Sequence, residues 1–230
     1  MILSDAPKSS SLRCTADIEV DYIDHMGSDI HVVNAARVSF DKHAGRYLKQ
    51  HNDNLIRYLA KHKHYSPFGH CFASFKVKAP IFVARQLVKH EYLRWNEISR
   101  RYVDTEPEIY YPEDWRGKAE DKKQGSINGR DGVVELDQFT NNSLTSCMND
   151  ALHRYRDLLD AGVCPEQARM VLPQATMTEW YWSGSLDAFS NMCNLRLKPD
   201  TQEETRKVAE MISYRMGDLF PVSWLSLYEP

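Results

Sequence analysis

Glycine is sparse in this 230-residue sequence, at ten residues, and no phosphate-cradling GxxxxGK[ST] or GxGxxG loop occurs. A GxSxG elbow and an HExxH pair are also missing. These gaps disfavour standard hydrolases, nucleotide-loop ATPases and dinucleotide-fold dehydrogenases. The five cysteines (Cys14, Cys71, Cys147, Cys164, Cys193) are scattered, odd in number and free of any CxxC pair. That pattern argues against a disulfide framework and a structural zinc site. None of them lies in a segment that looks activated, and no metal is expected. Neither sign of charge dominates: 29 Lys and Arg face 32 Asp and Glu, for a net charge of -3. A basic surface for nucleic acid is therefore lacking, as is an acidic tail. No apolar run approaches the roughly 20 residues that span a bilayer. The start, MILSDAPKSSS, lacks the charged and apolar stretches of a signal peptide. The expectation is a soluble, reduced, cytoplasmic protein with no nucleic-acid or membrane partner.

What is present is enough for a sizeable core: 42% hydrophobic and 11% aromatic residues, with five Trp and twelve Tyr. Residues 1–13 are polar and read as loose. Alternation over Ile18–Ile23 predicts a strand, followed by a turn at Met26-Gly27-Ser28-Asp29 and a helix from Ile30 to Phe40. After a polar loop at Asp41–Gly45, Asn52 or Asp53 could cap a helix with Leu55, Ile56 and Leu59 inward. Cys71 to Ala79 alternates as a strand, and Pro80 opens a helix with a stripe of Ile81, Ala84, Leu87 and Val88. Residues 104–140 read as a long polar insertion carrying the run KAEDKK. Leu144, Met148, Ala151, Leu152, Tyr155 and Leu159 then form a helical stripe ending before Gly162. A short helix from Pro165 to Pro173, a strand over 175–182 and a helix capped by Ser185 follow. Thr201 with Glu204 suggests a capping box for a last helix. The pattern predicts an α/β fold of α+β character, with a mixed central sheet flanked by helices in one domain spanning 1–230.

Three polar clusters stand out. RQLVKHEYLRWNEISRRY, from Arg85 to Tyr102, holds the cations and amides of a nucleotide site, with Tyr and Trp for stacking. It equally fits a solvated helix and surface loop, with Glu91 and Arg94 paired one turn apart. KHKHYSPFGH invites a metal reading, but His62 and His64 should point to different sides and no carboxylate or cysteine completes a set. Solvated histidines at a helix end, or one histidine beside a cofactor, fit as well. In ARMVLP and NMCNLRL, Arg169 and Arg196 sit among apolar residues, where an arginine must reach solvent, a protein carboxylate or an anion.

Taken in order, NAARVSF, HKHYSPFGH, VKAPIFVARQ, NEISRRY, GVCPEQARMVLP and NLR resemble the flavin-dependent thymidylate synthases, from about Val20 to about Leu197. The resemblance implies an α/β homotetramer with sites at subunit interfaces. Those sites hold FAD, dUMP, methylenetetrahydrofolate and NADPH, and they turn dUMP into dTMP. By position it implies dUMP contacts at Gln86, Glu97, Ser99, Arg100, Arg101, Arg169 and Arg196. Arg101 and Arg169 would hold the phosphate, and Arg196 would favour the ionised uracil. It implies FAD contacts at Ser66, Lys89, His90, Glu91, Glu97, Ser185 and Asn191, with His64 beside flavin and nucleotide. Catalytic roles fall to Arg196, Ser99 (as an orienting hydroxyl) and His64, and no cysteine need attack the pyrimidine.

The sequence also departs from the family pattern. The usual Arg-His-Arg triplet, seven residues before a serine, reads Lys89-His90-Glu91 ahead of Ser99. Lysine keeps the charge without the fork, and glutamate reverses a charge near bound anions. Arg94, a helical turn away, would offset Glu91. Ser185 stands where asparagine is usual, and Asp200 where a histidine is expected. Two further readings follow from these changes: a pyrimidine nucleotide hydroxymethylase on the same scaffold, and an inactive nucleotide-binding homologue.

Overall fold

The computed structural model describes residues 15–40, 45, 47–119, 125–127 and 132–228. The expectations for residues 1–13, for Asp41–Ala44 and for most of the KAEDKK run lie outside them. The chain divides into two compact units, one of 1–18, 78–84 and 98–178, the other of 19–77, 85–97 and 179–230.

The second unit carries most of a four-stranded sheet in the order β1-β2-β6-β3, with β1 at Glu19–Met26, β2 at Phe72–Pro80, β3 at Leu93–Glu97 and β6 at Met177–Ser185. Alternation in β2 works as the sequence implies, since Ala73, Phe75 and Val77 are buried while Ser74 and Lys76 are half-exposed. Ser74 and Ser183 share a hydrogen bond of 2.8 Å, and Lys76 pairs with Glu179 at 3.0 Å. Beneath the sheet, Trp95 stacks on Trp180 at 4.2 Å, Trp180 meets Trp182, and Trp182 and Phe75 both meet Phe189 edge-on. Aromatic pairs of this geometry add about 0.5–1.5 kcal/mol beyond the area they bury. Phe189 belongs to α6 (Leu186–Arg196), so this ladder fixes the helix that presents Arg196.

The remaining helices of this unit are α1 (Asp29–Arg37), α2 (Lys49–Lys61), α7 (Glu203–Leu219) and α8 (Pro221–Leu227). Gly27 makes the turn between β1 and α1 at φ 93, a left-handed angle that disfavours side chains, and a Cβ there would lie 2.7 Å from Cys71 Sγ. The expected cap at Asn52 or Asp53 is not made, because α2 begins a turn earlier and Asn52 is buried inside it. The Thr201–Glu204 box fails as well. Helix α7 starts at Glu203, Glu204 is buried, and the Thr201 hydroxyl donates to the Leu195 carbonyl at 3.2 Å. Ser185 precedes α6 as expected, without a side-chain cap bond. Helix α8, unforeseen in the sequence, is capped from afar: Asp29 accepts from the Val222 and Ser223 N–H groups, each at 2.9 Å.

The first unit packs Ile109, Met148 and Leu152 with Tyr111, Leu144, Leu172 and Ala175. Met148 and Leu152 come from α4 (Gln138–Asp160), whose buried stripe also holds Thr145 and Tyr155. The stretch 104–140 is less loop-like than its composition suggests. It contains the short antiparallel pair β4 (Trp115–Arg116) and β5 (Val133–Val134), and Asp137 caps α4 by accepting from Thr140 N–H at 2.7 Å. The expected short helix is α5 (Pro165–Ala168), continued by a turn of 3-10 helix over Arg169–Val171. The strand read at 175–182 is β6, shifted to end at Ser185.

The helix opened by Pro80 is α3 (Ile81–Leu87). Val83, Ala84 and Leu87 are buried, whereas Val88, expected in the stripe, is 49% exposed because the helix ends before it.

The free thiols divide sharply. Burial pushes Cys71 up to about 11 and raises Cys193 further, while Cys147 and Cys164 are exposed. We expect a thiol reagent near neutral pH to label Cys147 and Cys164 rapidly and Cys71 and Cys193 only on unfolding. Rapid labelling of Cys71 in the folded protein would contradict this packing.

Candidate functional site

In the second unit, the segment after α3 does not continue as a helix. The chain reverses at Tyr92, which is 79% exposed and adopts φ 62, and then enters β3. A non-glycine residue at such an angle carries strain that surrounding structure must hold in place. Here β3 pairs antiparallel with β6, setting Leu93 opposite Gly184 and Trp95 opposite Trp182. Gly184 lets the strands approach closely, since a Cβ there would lie 2.4 Å from Leu93 Cδ2 and 3.0 Å from the Tyr92 carbonyl oxygen. The helical pairing expected of Glu91 and Arg94 is thereby lost. Arg94 lies on the strand opposite Ser183, and no ion pair joins the two among the described residues.

This reversal places His90 against the end of α6. Arg196, half-buried at the last residue of that helix, donates from Nε to His90 Nε2 at 2.9 Å and from Nη2 to the Gln86 carbonyl oxygen at 2.8 Å. The Gln86 side-chain amide in turn donates to Gln202 Oε1 at 2.6 Å. Burial, and then the Arg196 charge, push His90 down to about 4, while burial lowers Arg196 from its usual value. A guanidinium has donors and no acceptors, so a neutral ring is what it needs. Gln202 is missing from the sequence-based site. It lies in the stretch read as a capping box, and only the fold brings it to Gln86.

The other predicted residues of this unit lie in varied settings. Lys89 and Glu91 are exposed, so the reversed charge of the triplet meets solvent, where it is screened. Glu97 accepts from Trp95 Nε1 at 3.1 Å. Leu186 N–H donates to the Cys71 carbonyl at 2.8 Å, tying the head of α6 and buried Ser185 to the turn that follows exposed Ser66. Asn191 is exposed on α6.

His62 and His64 do not point apart as expected. Lys63 takes φ 57, which reverses the chain after α2 and brings both rings to one side. Their centroids are 6.4 Å apart, and Tyr58 lies 4.3 Å from His62. Arg196 bonds, among the described residues, to His90 and Gln86, not to His64. Among the described residues, no group of three or more His, Cys, Asp or Glu side chains is placed to hold a metal.

In the first unit, Glu166 of α5 gathers two of the remaining arginines. Arg101 Nε donates to its carboxylate at 3.2 Å, and Arg169 Nε donates to its backbone carbonyl at 3.3 Å. Ser99 Oγ accepts from the Arg101 N–H at 3.3 Å. Arg100 turns away, donating to the Thr105 carbonyl at 2.5 Å. Arg101 and Arg169 are both exposed, so a phosphate could reach the pair directly. Glu166 stands within the quoted motif GVCPEQARMVLP, but its role as a bridge is a product of the fold.

Known proteins are similar to this chain along most of its length. Residues 21–222 match the family model described as Thy1, thymidylate synthase complementing protein. A flavin-dependent thymidylate synthase of Thermus thermophilus is 40% identical over 210 residues, covering 91% of this chain and 75% of that one. Another, from Thermosipho africanus, is 38% identical, covering 81% of this chain and 80% of that one. The crystal structure of the UMP/dUMP methylase PolB from Streptomyces cacaoi, bound with 5-Br dUMP, superposes with a TM-score of 0.80 at 31% identity, covering 94% of this chain and 99% of that one. No described helix is long and apolar enough to cross a membrane. The fold, the ordered motifs and this span of identity lead to one conclusion: the chain belongs to the Thy1 family, that of the flavin-dependent thymidylate synthases.

Proposed function

We propose that the protein is a flavin-dependent thymidylate synthase that reductively methylates dUMP to dTMP. Methylenetetrahydrofolate gives the carbon and NADPH the reducing power. The observation that carries this reading is Arg196, whose partly desolvated guanidinium is anchored through two donors and keeps the rest for a ligand. A fixed cation beside a uracil favours its ionised form and makes carbon 5 more nucleophilic. Arg101 and Arg169 suit the phosphate, as charge-assisted donors on an exposed face. Gln86, Glu97 and Arg100 complete the proposed nucleotide contacts.

Ser99 orients rather than attacks. Its oxygen already accepts a hydrogen bond, and an attacking serine would need a neighbouring base. The raised thiols of Cys71 and Cys193 are equally unsuited to nucleophilic attack.

FAD, when bound and reduced, would supply the hydride. The second unit offers donors suited to an anionic dinucleotide: Lys89, Ser66, Asn191, Ser185 and the His90 ring, with Glu97 as acceptor. Glu91 does not spoil the fit, because it is free to face solvent. The grouped rings of Tyr58, His62 and His64 fit a planar isoalloxazine, which supports His64 beside the flavin. The continuous family match over 21–222 supports treating the chain as one family domain. We further propose a cytoplasmic homotetramer with neither nucleic-acid nor membrane partners.

Neither the hydroxymethylase nor the inactive-homologue reading gains support from any observation here. Mass spectrometry of the product from dUMP, FAD, NADPH and methylenetetrahydrofolate tests the assignment. A methyl group on carbon 5 is expected, whereas a hydroxymethyl group, or unchanged dUMP with a colourless protein that ignores FAD, would overturn it.

A further inference from the structure

We propose that His90 is a positioning residue that holds Arg196 through a lone pair on Nε2, working as the neutral imidazole with its proton on Nδ1. The inference rests on the reading of Arg196 given above and adds to it the device that aims the guanidinium. Arg196 meets His90 Nε2 at 2.9 Å and the Gln86 carbonyl at 2.8 Å. Since every guanidinium nitrogen is a donor, the ring nitrogen facing Arg196 has to be an acceptor. A neutral histidine with Nε2 as acceptor carries its proton on Nδ1, which makes Nδ1–H a donor pointing elsewhere.

The backbone explains why a histidine can fill this place. Its N–H donates to the Leu87 carbonyl at 3.2 Å, so the ring is carried by the turn that closes α3. Arg196 is the last residue of α6. The contact thus ties two elements that meet at Gln86, and its two anchors fix the plane of a rigid fork. Arg196 is the charge that bears on the ring, whereas Lys89 and Glu91, its neighbours in the chain, are exposed. The depressed proton affinity of His90, about 4, agrees with a ring that stays uncharged beside a cation.

The test has two arms. Nitrogen-15 NMR of the ring nitrogens of the full-length protein, at about pH 6 where an ordinary histidine is largely protonated, should show His90 neutral and protonated on Nδ1. An imidazolium, or a neutral ring protonated on Nε2, would overturn the proposal whatever reaction the protein performs. In the second arm, kcat is measured at saturating FAD and dUMP. His90→Gln, whose Oε1 can reach the Nε2 position as an acceptor, should lose some activity with the ring but keep at least about tenfold more than His90→Leu. His90→Leu should fall by roughly 10²-fold, the scale of a misplaced catalytic group. Equal rates for the two variants would count against the proposal. If no variant forms dTMP, the functional reading fails, and the NMR arm still decides the state of His90.

Discussion

Replacing Arg196 with alanine should lower kcat by about 10²–10³-fold, the scale of losing one charge-stabilising donor in a closed site. The fold should survive. Arg196 lies at the end of α6 and contributes hydrogen bonds to His90 and Gln86, whereas the helix is held by Leu186, Phe189, Met192 and Cys193, each fully buried. Loss of two such bonds costs about 1–3 kcal/mol, so a melting curve should remain cooperative. Arg196→Lys should recover little activity, because a point charge cannot span both anchors. Steady-state kinetics and thermal unfolding of the same samples check the division. An unfolded alanine variant would refute it, as would an active one.

The same substitution should change the acid stability of the protein. His90 is held at about 4 in the folded state, below an ordinary histidine value near 6.5. Between those values the unfolded chain binds more protons than the folded one. Stability from this group is therefore unaffected above about pH 6.5 and falls as the pH drops toward 4. Removing Arg196 takes away one of the two causes of the depression, so the acid-side loss should become shallower. Denaturant midpoints measured down this pH range give the comparison, and an unchanged slope would contradict the contact.

Replacing Arg169 with alanine should weaken dUMP binding by about 1.5–3 kcal/mol, or roughly 10–150-fold in Kd, the range of a hydrogen bond to a charged group. The specific signature is a loss confined to the phosphate. Deoxyuridine, which lacks that phosphate, should bind the parent and the variant alike. Glu166 already collects Arg101 and Arg169 through its carboxylate and its carbonyl, so their spacing is set before any ligand arrives. Calorimetric titration with both compounds makes the comparison. A loss of deoxyuridine binding equal to that of dUMP would remove Arg169 from the phosphate and assign it a structural role.

How much of this was legible before the fold was known depended on periodicity. Strand β2 and helix α4 announce themselves because their buried residues recur at the spacing of one face. Strand β3 did not. LRWNE carries charge at Arg94 and Glu97, three positions apart, so it lacks a clean alternation, and its preceding turn depends on an unusual angle at Tyr92 rather than on a glycine. The paired rings of His62 and His64 were hidden for the same reason, the left-handed Lys63. The caps expected at Asn52 and Thr201 fail because α2 starts a turn earlier and α7 starts at Glu203, neither with a side-chain cap bond. The cap of α8 was illegible because Asp29 supplies it from far along the chain. The residues of the site were mostly named from motifs, while their partners, Gln202 and Glu166, depend on contacts spanning 116 and 65 positions in the chain.

The most direct test is a single anaerobic turnover of the FAD-loaded, fully reduced protein, with flavin absorbance and nucleotide products followed together. The account predicts that dUMP and methylenetetrahydrofolate added together restore the oxidised flavin spectrum and yield dTMP in equal amount, while either alone does neither. A flavin that stays reduced while carbon 5 is modified, or one that reoxidises without dTMP, would contradict it.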